Sequence, residues 1–192
     1  PRHYDNPNAN QGFVLPAYWS LMFLVAGFCG LRGGELWALK GKHVDGEKLH
    51  VREQVQFLKG GAIQISAPKY GSKRDAFIAQ DVGEFPLREL LAQRAKEVGP
   101  EGLLFPSKSG NYVRRTNLIR DVMNPVRDMA WGHREWTLHD LRHHSCRWLL
   151  DNGVAIADVS KMAGHQNVAV TMVYYISPND GLLERIAGVF GE

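Results

Sequence analysis

The apolar positions along this chain switch from helical spacing to alternation and back again. After Pro16, a good first-turn residue, Leu21, Leu24, Val25 and Phe28 recur at helical intervals. Gly30 ends that helix, and Arg32 opens another that should run through Leu39. Residues 43 to 79 read differently. Short strand-like runs at 49–51, 63–65 and 76–78 are separated by Asp45-Gly46, Gly60-Gly61 and Tyr70-Gly71. This pattern predicts a small antiparallel three-stranded sheet built of hairpins. Helical spacing resumes at 84–97, stops at Gly99-Pro100 and returns at 115–131. Thr137, with Asp140 three residues later, starts the next helix, and Asp151-Asn152-Gly153 stops it. Short helices over 155–163, 168–175 and 180–190 complete a fold that is mainly α with one small sheet.

Composition narrows the class. A chain of 192 residues, 44% apolar and 22% charged, can bury the core of one ordinary domain without disulfides. The formal charge of +3 is modest, but its distribution is not. Between Phe105 and Trp148 eight Lys or Arg face four acids, a net +4 in one window, and four histidines lie there too. Such clustering suits a surface turned toward a polyanionic backbone. Cys29 and Cys146 lie in apolar segments and make no paired motif, so buried reduced thiols are expected. The apolar run at 21–28 is too short to span a bilayer. The chain starts at Pro1 without Met, and residues 1–14 read as a linker ahead of a domain at 15–192.

The chemistry concentrates in three boxes. They are Gly30-Leu31-Arg32 with Glu35, His139 with Arg142, and Gly164-His165 with Tyr174 nine residues on. A phosphodiester resists attack because its oxygens are negative and its alkoxide leaves poorly. Catalysis needs charge neutralisation, a nucleophile and an acid for the departing oxygen. Arginine suits the first task, since its planar fork stays charged and holds two oxygens at once. Arg32 and Arg142 fit that role, with Glu35 on the face of Arg32 as a brace. His139 and Arg142 share one helix face. A rival reading takes His139 and His143, four apart with Asp140 beside them, as metal ligands of a hydrolase. Asp in place of Glu, and a positive Arg142 between the histidines, oppose it.

With these boxes in this order, from about residue 15 to the end, the chain resembles the tyrosine recombinases, the lambda integrase family. The resemblance implies their catalytic-domain fold and a DNA strand transferase of the phage-integrase type. Such an enzyme cuts and rejoins DNA through a 3′-phosphotyrosine, with no cofactor, metal or ATP. It implies Tyr174 as nucleophile rather than the adjacent Tyr175, His165 as a donor to phosphate, and His139 as a proton carrier or phosphate brace. The family's catalytic lysine falls on a hairpin turn. Here that turn offers Lys69, with Lys73 as substitute, and Lys73, Arg74, Arg114 and Arg115 are expected on the DNA-binding surface. Residues 1–14 would then follow a separate N-terminal DNA-binding domain, and helix 180–190 would dock onto a neighbouring protomer. Implied partners are double-stranded attachment sites, a tetramer of protomers on DNA, and accessory DNA-bending or directionality proteins, with no membrane. The setting would be the cytoplasm, on the nucleoid of a bacterial host. Type IB topoisomerase-like cleavage and a DNA-binding module without chemistry remain alternatives. Gly33-Gly34 departs from good helix sequence, and close approach to DNA or drift would each account for it.

Overall fold

The computed structural model describes residues 16–130 and 136–175, with the side chains at 129, 130, 174 and 175 outside that description. The expected linker 1–14 and tail helix 180–190 lie outside the described residues. Helix α1 (Ala17–Phe28) begins after Pro16 and buries Trp19, Leu21, Met22, Val25 and Ala26. Gly30 breaks it with a left-handed φ of 65°. Arg32 then caps the short α2 (Gly33–Trp37), which ends two residues before the expected Leu39.

The sheet divides into two pieces. Strands β1 (Val44–Asp45) and β2 (Lys48–Val51) form a hairpin, and β3 (Gln54–Phe57) pairs with β4 (Ile63–Ser66) in a second one. The remaining strand, β5 (Arg74–Phe77), pairs with β2, so the three-stranded antiparallel sheet runs β1-β2-β5. The run at 63–65 therefore leaves that sheet and lies against Gln54–Phe57, in which Gln54 and Val55 are buried. A tight turn, with the Leu58 amide donating to the Ala62 carbonyl at 2.9 Å, closes β3 onto β4.

Gly34 explains one of the two glycines of α2. A Cβ built on it would stand 2.8 Å from the carbonyl oxygen of Val55, so α2 rests directly on β3. The close approach is to the protein's own strand. A Cβ at Gly33 would meet nothing nearer than ordinary contact, Trp37 at 3.6 Å. Helix propensity alone would favour Ala at either position by about 1 kcal/mol. Gly34→Ala is nevertheless expected to destabilise, because overpacking costs about 1–3 kcal/mol. Gly33→Ala should be neutral or better. Thermal midpoints of the two variants decide the matter, and a higher midpoint for Gly34→Ala would contradict the α2–β3 contact.

Helix α3 (Leu87–Val98) starts three residues later than the pattern at 84–97 predicts. Pro86 disfavours helix at the residue before it, and Val82 and Phe85 bridge in a turn instead. The next helical stretch runs from α4 (Arg115–Leu118) through a π turn, Ile119–Met123, into α5 (Asn124–Ala130). Pro125 has no N–H to give the carbonyl four residues back, and the widened turn sits just before it. Helix α6 (Leu138–Asp151) opens as expected. Thr137 accepts from the amides of His139 and Asp140, and Asp140 accepts the Thr137 amide at 2.8 Å. Helices α7 (Ile156–Ala163) and α8 (Val168–Tyr175) follow.

The main core lies among α1, α2, the sheets, α3 and the stretch 113–123. A smaller cluster of Cys146, Leu150, Val159 and Ala163 joins α6 to α7. Both cysteines are buried and free, and burial pushes the Cys29 thiol up to about 12. Helix α7 also packs against β5 and α8, which brings a strand distant in sequence to the corner between the two helices. Among the described residues no helix is long and apolar enough to cross a membrane.

Candidate active site

The last turn of α7 organises that corner. A helix end leaves carbonyls without intrahelical partners and carries partial negative charge. Three consecutive carbonyls here each accept from a different arginine. Met162 O accepts from Arg74 Nε at 2.6 Å, Ala163 O from Arg142 Nη2 at 2.7 Å, and Gly164 O from Arg32 Nη2 at 2.7 Å. Arg142 is 1% exposed and gives its other fork nitrogen to the Gly30 carbonyl at 2.6 Å. Burial lowers its guanidinium to about 10, with the neighbouring Arg32 adding to the effect, so it stays charged at neutral pH.

Glu35 is fully buried in the middle of this cluster. Its Oε1 accepts from Arg32 Nη1 and Arg74 Nη1, both at 3.0 Å. Its Oε2 accepts from the Arg32 amide and Arg74 Nη2, both at 2.8 Å. Burial alone would raise this carboxyl, but Arg74 first and Arg32 second hold it below its ordinary value. Arg32 and Arg74 thus share one carboxylate while Arg142 bonds only backbone carbonyls, so three guanidinium groups and one carboxylate leave the corner an excess of two positive charges. An anion is the natural occupant of such a place.

His165 stands at the edge of the cluster, with Nδ1 2.8 Å from the hydroxyl of Thr171 on α8. Thr171 is itself fully buried. Desolvation lowers the His165 imidazole to about 4, reinforced by Arg142, Arg32, Arg74 and His139, so the ring is neutral at pH 7. This shift has a consequence for stability. An unfolded histidine takes up a proton near about 6.5. The folded ring resists protonation down to about 4, so acid favours the unfolded chain. The stability contributed by neutral His165 is complete above about 6.5 and is lost as pH falls toward about 4. His165→Gln is expected to flatten the fall in thermal midpoint across that window. His139 and His143, lowered in the same direction, will leave part of the slope in place. An unchanged slope would contradict the packing of His165 against the arginines.

His139, one helical turn before Arg142, is shifted down by partial burial and then by Arg142. Its ring meets that of His143 edge-on, with centroids 4.4 Å apart. Among the described residues no group of three His, Cys, Asp or Glu gathers as metal ligands, and the hydrolase reading has no third ligand there. A cleft of about 260 Å³ beside His139 is lined by Gly33, Trp37, Arg115, Arg127 and Thr137.

The other expected residues divide. Lys69 and Lys73 lie exposed on the turn Lys69–Gly71 and just after it, and the Lys69 ammonium sits 4.9 Å from the centre of the Tyr70 ring. Arg115 is exposed. Arg114 is exposed too, but its guanidinium holds the Gly61 carbonyl at 2.9 Å and covers the Phe57 ring. Arg74 corrects the expectation. Its side chain is 8% exposed and turned inward onto Glu35, not outward as a DNA-facing group. The strand register gives the reason: Arg74 shares a face with buried Ala76, while Asp75 and Phe77 point out. The basic window is likewise partly neutralised, since Arg120 pairs with Asp121 and Arg147 with Asp151. Tyr174 falls in the last turn of α8, and its side chain lies outside the described part of the structure. Thr171 is a site residue to which sequence reasoning gave no role, and Arg74 is one that it assigned to the DNA-facing surface. Thr171 had a signal, three residues before Tyr174, and Arg74 had the alternation of β5.

Residues 5–180 match the family model described as the phage integrase family. The chain belongs to that family. It is 28% identical to an integrase of Streptomyces ambofaciens, over 88% of this chain and 45% of that protein. It is 25% identical to a tyrosine recombinase XerC-like protein of Caldanaerobacter subterraneus subsp. tengcongensis, over 80% of this chain and 44% of the relative. The chain spans about half the length of these curated relatives. Its fold matches the Tn1549 transposon integrase solved in complex with transposon right end DNA. The TM-score is 0.73 at 18% identity, over 95% of this chain and 62% of that one. XerA recombinase matches with a TM-score of 0.63 at 20% identity, over 99% of this chain and 65% of that one. The family and fold that the motif resemblance implied are thereby established.

Proposed function

We propose that this chain is the catalytic part of a phage-type integrase, a site-specific recombinase that cuts and rejoins double-stranded DNA without metal or ATP. The observation that carries the reading is the corner at the end of α7. There Arg32 and Arg142 are held beside neutral His165, and Thr171 links that histidine to the helix that carries Tyr174. In the reaction, the Tyr174 oxygen attacks the scissile phosphorus while the bond from phosphorus to the 5′ oxygen breaks. The tyrosine proton passes to a neighbouring base, the role assigned here to His139. Arg32 and Arg142 neutralise the nonbridging oxygens, His165 donates to one of them, and Lys69 protonates the leaving 5′ oxygen. The product is a 3′-phosphotyrosine and a free 5′ hydroxyl. The phosphodiester energy is kept in the covalent link, so another 5′ hydroxyl can reverse the step.

The same reading supplies the partners. The relatives named integrase and recombinase, and the neighbour solved on DNA, support double-stranded attachment sites as substrate, and other protomers are the co-workers that exchange of strands between two duplexes requires. Accessory bending or directionality proteins and a bacterial cytoplasmic setting follow from the same role. The exposed Lys73, Arg114 and Arg115 are the proposed backbone contacts, and such contacts make affinity fall with salt. The reading is tested with a pool of nicked duplexes of randomised sequence, incubated with the chain in EDTA and resolved under denaturing conditions. Covalent adducts enriched in one sequence are expected. Strand cleavage that leaves no protein on the DNA and requires a divalent metal would overturn it.

A further inference from the structure

Arg74 is the one arginine of the cluster to which the proposed reaction gives no task. It opens β5, five residues after Lys69, and all three of its guanidinium nitrogens are engaged inside the protein. Room for it is built into the backbone. Gly164 adopts a left-handed φ of 68°, and a Cβ there would stand 2.9 Å from Arg74 Nη1. The sharing of Glu35 is even, since each carboxylate oxygen takes one donor from Arg32 and one from Arg74. Without Arg74 a fully buried carboxylate would have Arg32 as its sole charged partner. The stronger pull would draw the Arg32 fork inward, away from the Gly164 carbonyl and from the open side on which Arg32 keeps 21% exposure.

We infer that Arg74 is a positioning residue for the phosphate clamp. It shares Glu35 so that Arg32 stays aligned with Gly164, and it grips the Met162 carbonyl so that β5 and the lysine turn stay on the same corner. The inference rests on the reaction proposed above. It differs from a DNA-contact role, in which Arg74 would change binding and salt dependence, and from a structural role, in which it would change only the folded fraction.

The test is single-turnover cleavage of a nicked duplex at saturating enzyme, below the thermal midpoint of every variant, by the full chain and its Arg74→Gln, Arg32→Ala and doubly substituted forms. Misplacing a catalytic group by about an ångström costs about 10²-fold, which is the loss expected for Arg74→Gln. Removing a positioned donor costs about 10²–10³-fold, the loss expected for Arg32→Ala. Because Arg74 acts through Arg32, the double variant should be slower than Arg32→Ala by no more than about 3-fold, a coupling that independent sites do not show. Losses that multiply, or wild-type cleavage by Arg74→Gln, overturn the inference. Where Arg74→Gln does not fold at the assay temperature, Arg74→Lys carries the test, because it keeps the charge on Glu35 but loses the two-point fork. A loss in Arg74→Lys that disappears in the Arg32→Ala background supports the inference, and a wild-type rate overturns it. If the wild-type chain forms no adduct on any duplex, the proposed reaction fails. If it forms adducts and Arg74→Gln forms them equally fast, only the role of Arg74 fails.

Discussion

Tyr174→Phe is expected to abolish the covalent protein–DNA adduct while leaving the fold and noncovalent DNA binding almost intact. The substitution removes a single oxygen. A lost hydroxyl costs stability by about 1 kcal/mol or less, whereas a lost nucleophile removes the reaction itself. Helical geometry separates this residue from its neighbour. Positions 174 and 175 point about 100° apart on an α-helix, so only one can face a phosphate held between Arg32 and Arg142. Position 174, nine residues after His165, is the one at the interval of the family's last box. Tyr175→Phe should therefore retain cleavage. Denaturing gels of trapped complexes, read beside thermal midpoints and gel shifts, compare the two variants. Full adduct formation by Tyr174→Phe would refute the assignment.

Arg142→Ala carries the second large effect, and it should fall on stability and chemistry together. Among the described residues Arg142 is the largest of the fully buried side chains, and its fork satisfies the carbonyls of Gly30 and Ala163. Alanine would leave both carbonyls buried without a donor and a cavity where the side chain stood. The cost is about 2–5 kcal/mol from the cavity and the lost charged hydrogen bonds. Cleavage by the protein that remains folded should fall by about 10²–10³-fold, the amount lost with one positioned oxyanion donor. Arg142→Lys separates the two effects. Its compact ammonium can keep one carbonyl and the charge, so stability should recover more than the cleavage rate does. Denaturant unfolding and single-turnover cleavage at low temperature measure each part. An Arg142→Ala chain as stable as the wild type would contradict the tether between α1, α6 and α7.

The parts of this fold that were legible in the sequence are those governed by nearby residues. The Thr137–Asp140 box starts α6 where the sequence places it, because capping involves only the residues at the helix end. Gly30 breaks α1 for an equally local reason, a positive φ. Pairing of strands is not local. The run at 63–65 reads as a strand in either hairpin, and only the turn at 58–62 decides that it joins β3. The same distinction holds in the site. Arg32, His139, Arg142 and His165 were singled out because their spacing repeats a known chemical order. Arg74 looked like a surface base in a basic turn, since what turns it inward is a carboxylate 39 residues away and a helix end 88 residues away. The Gly34 contact is of this kind too, set by the carbonyl of Val55 across the α2–β3 interface.

The central claim, that a tyrosine of α8 becomes joined to the 3′ end of cleaved DNA, is tested most directly by mapping the adduct. A nicked suicide duplex taken from the enriched pool is incubated with the wild-type chain in EDTA, digested with protease and nuclease, and the modified peptide is sequenced by mass spectrometry. The account predicts a 3′-phosphonucleotide on Tyr174 and release of a strand with a free 5′ hydroxyl. Phosphate on Tyr175, or a link through a 5′ phosphate with a free 3′ hydroxyl, would contradict it.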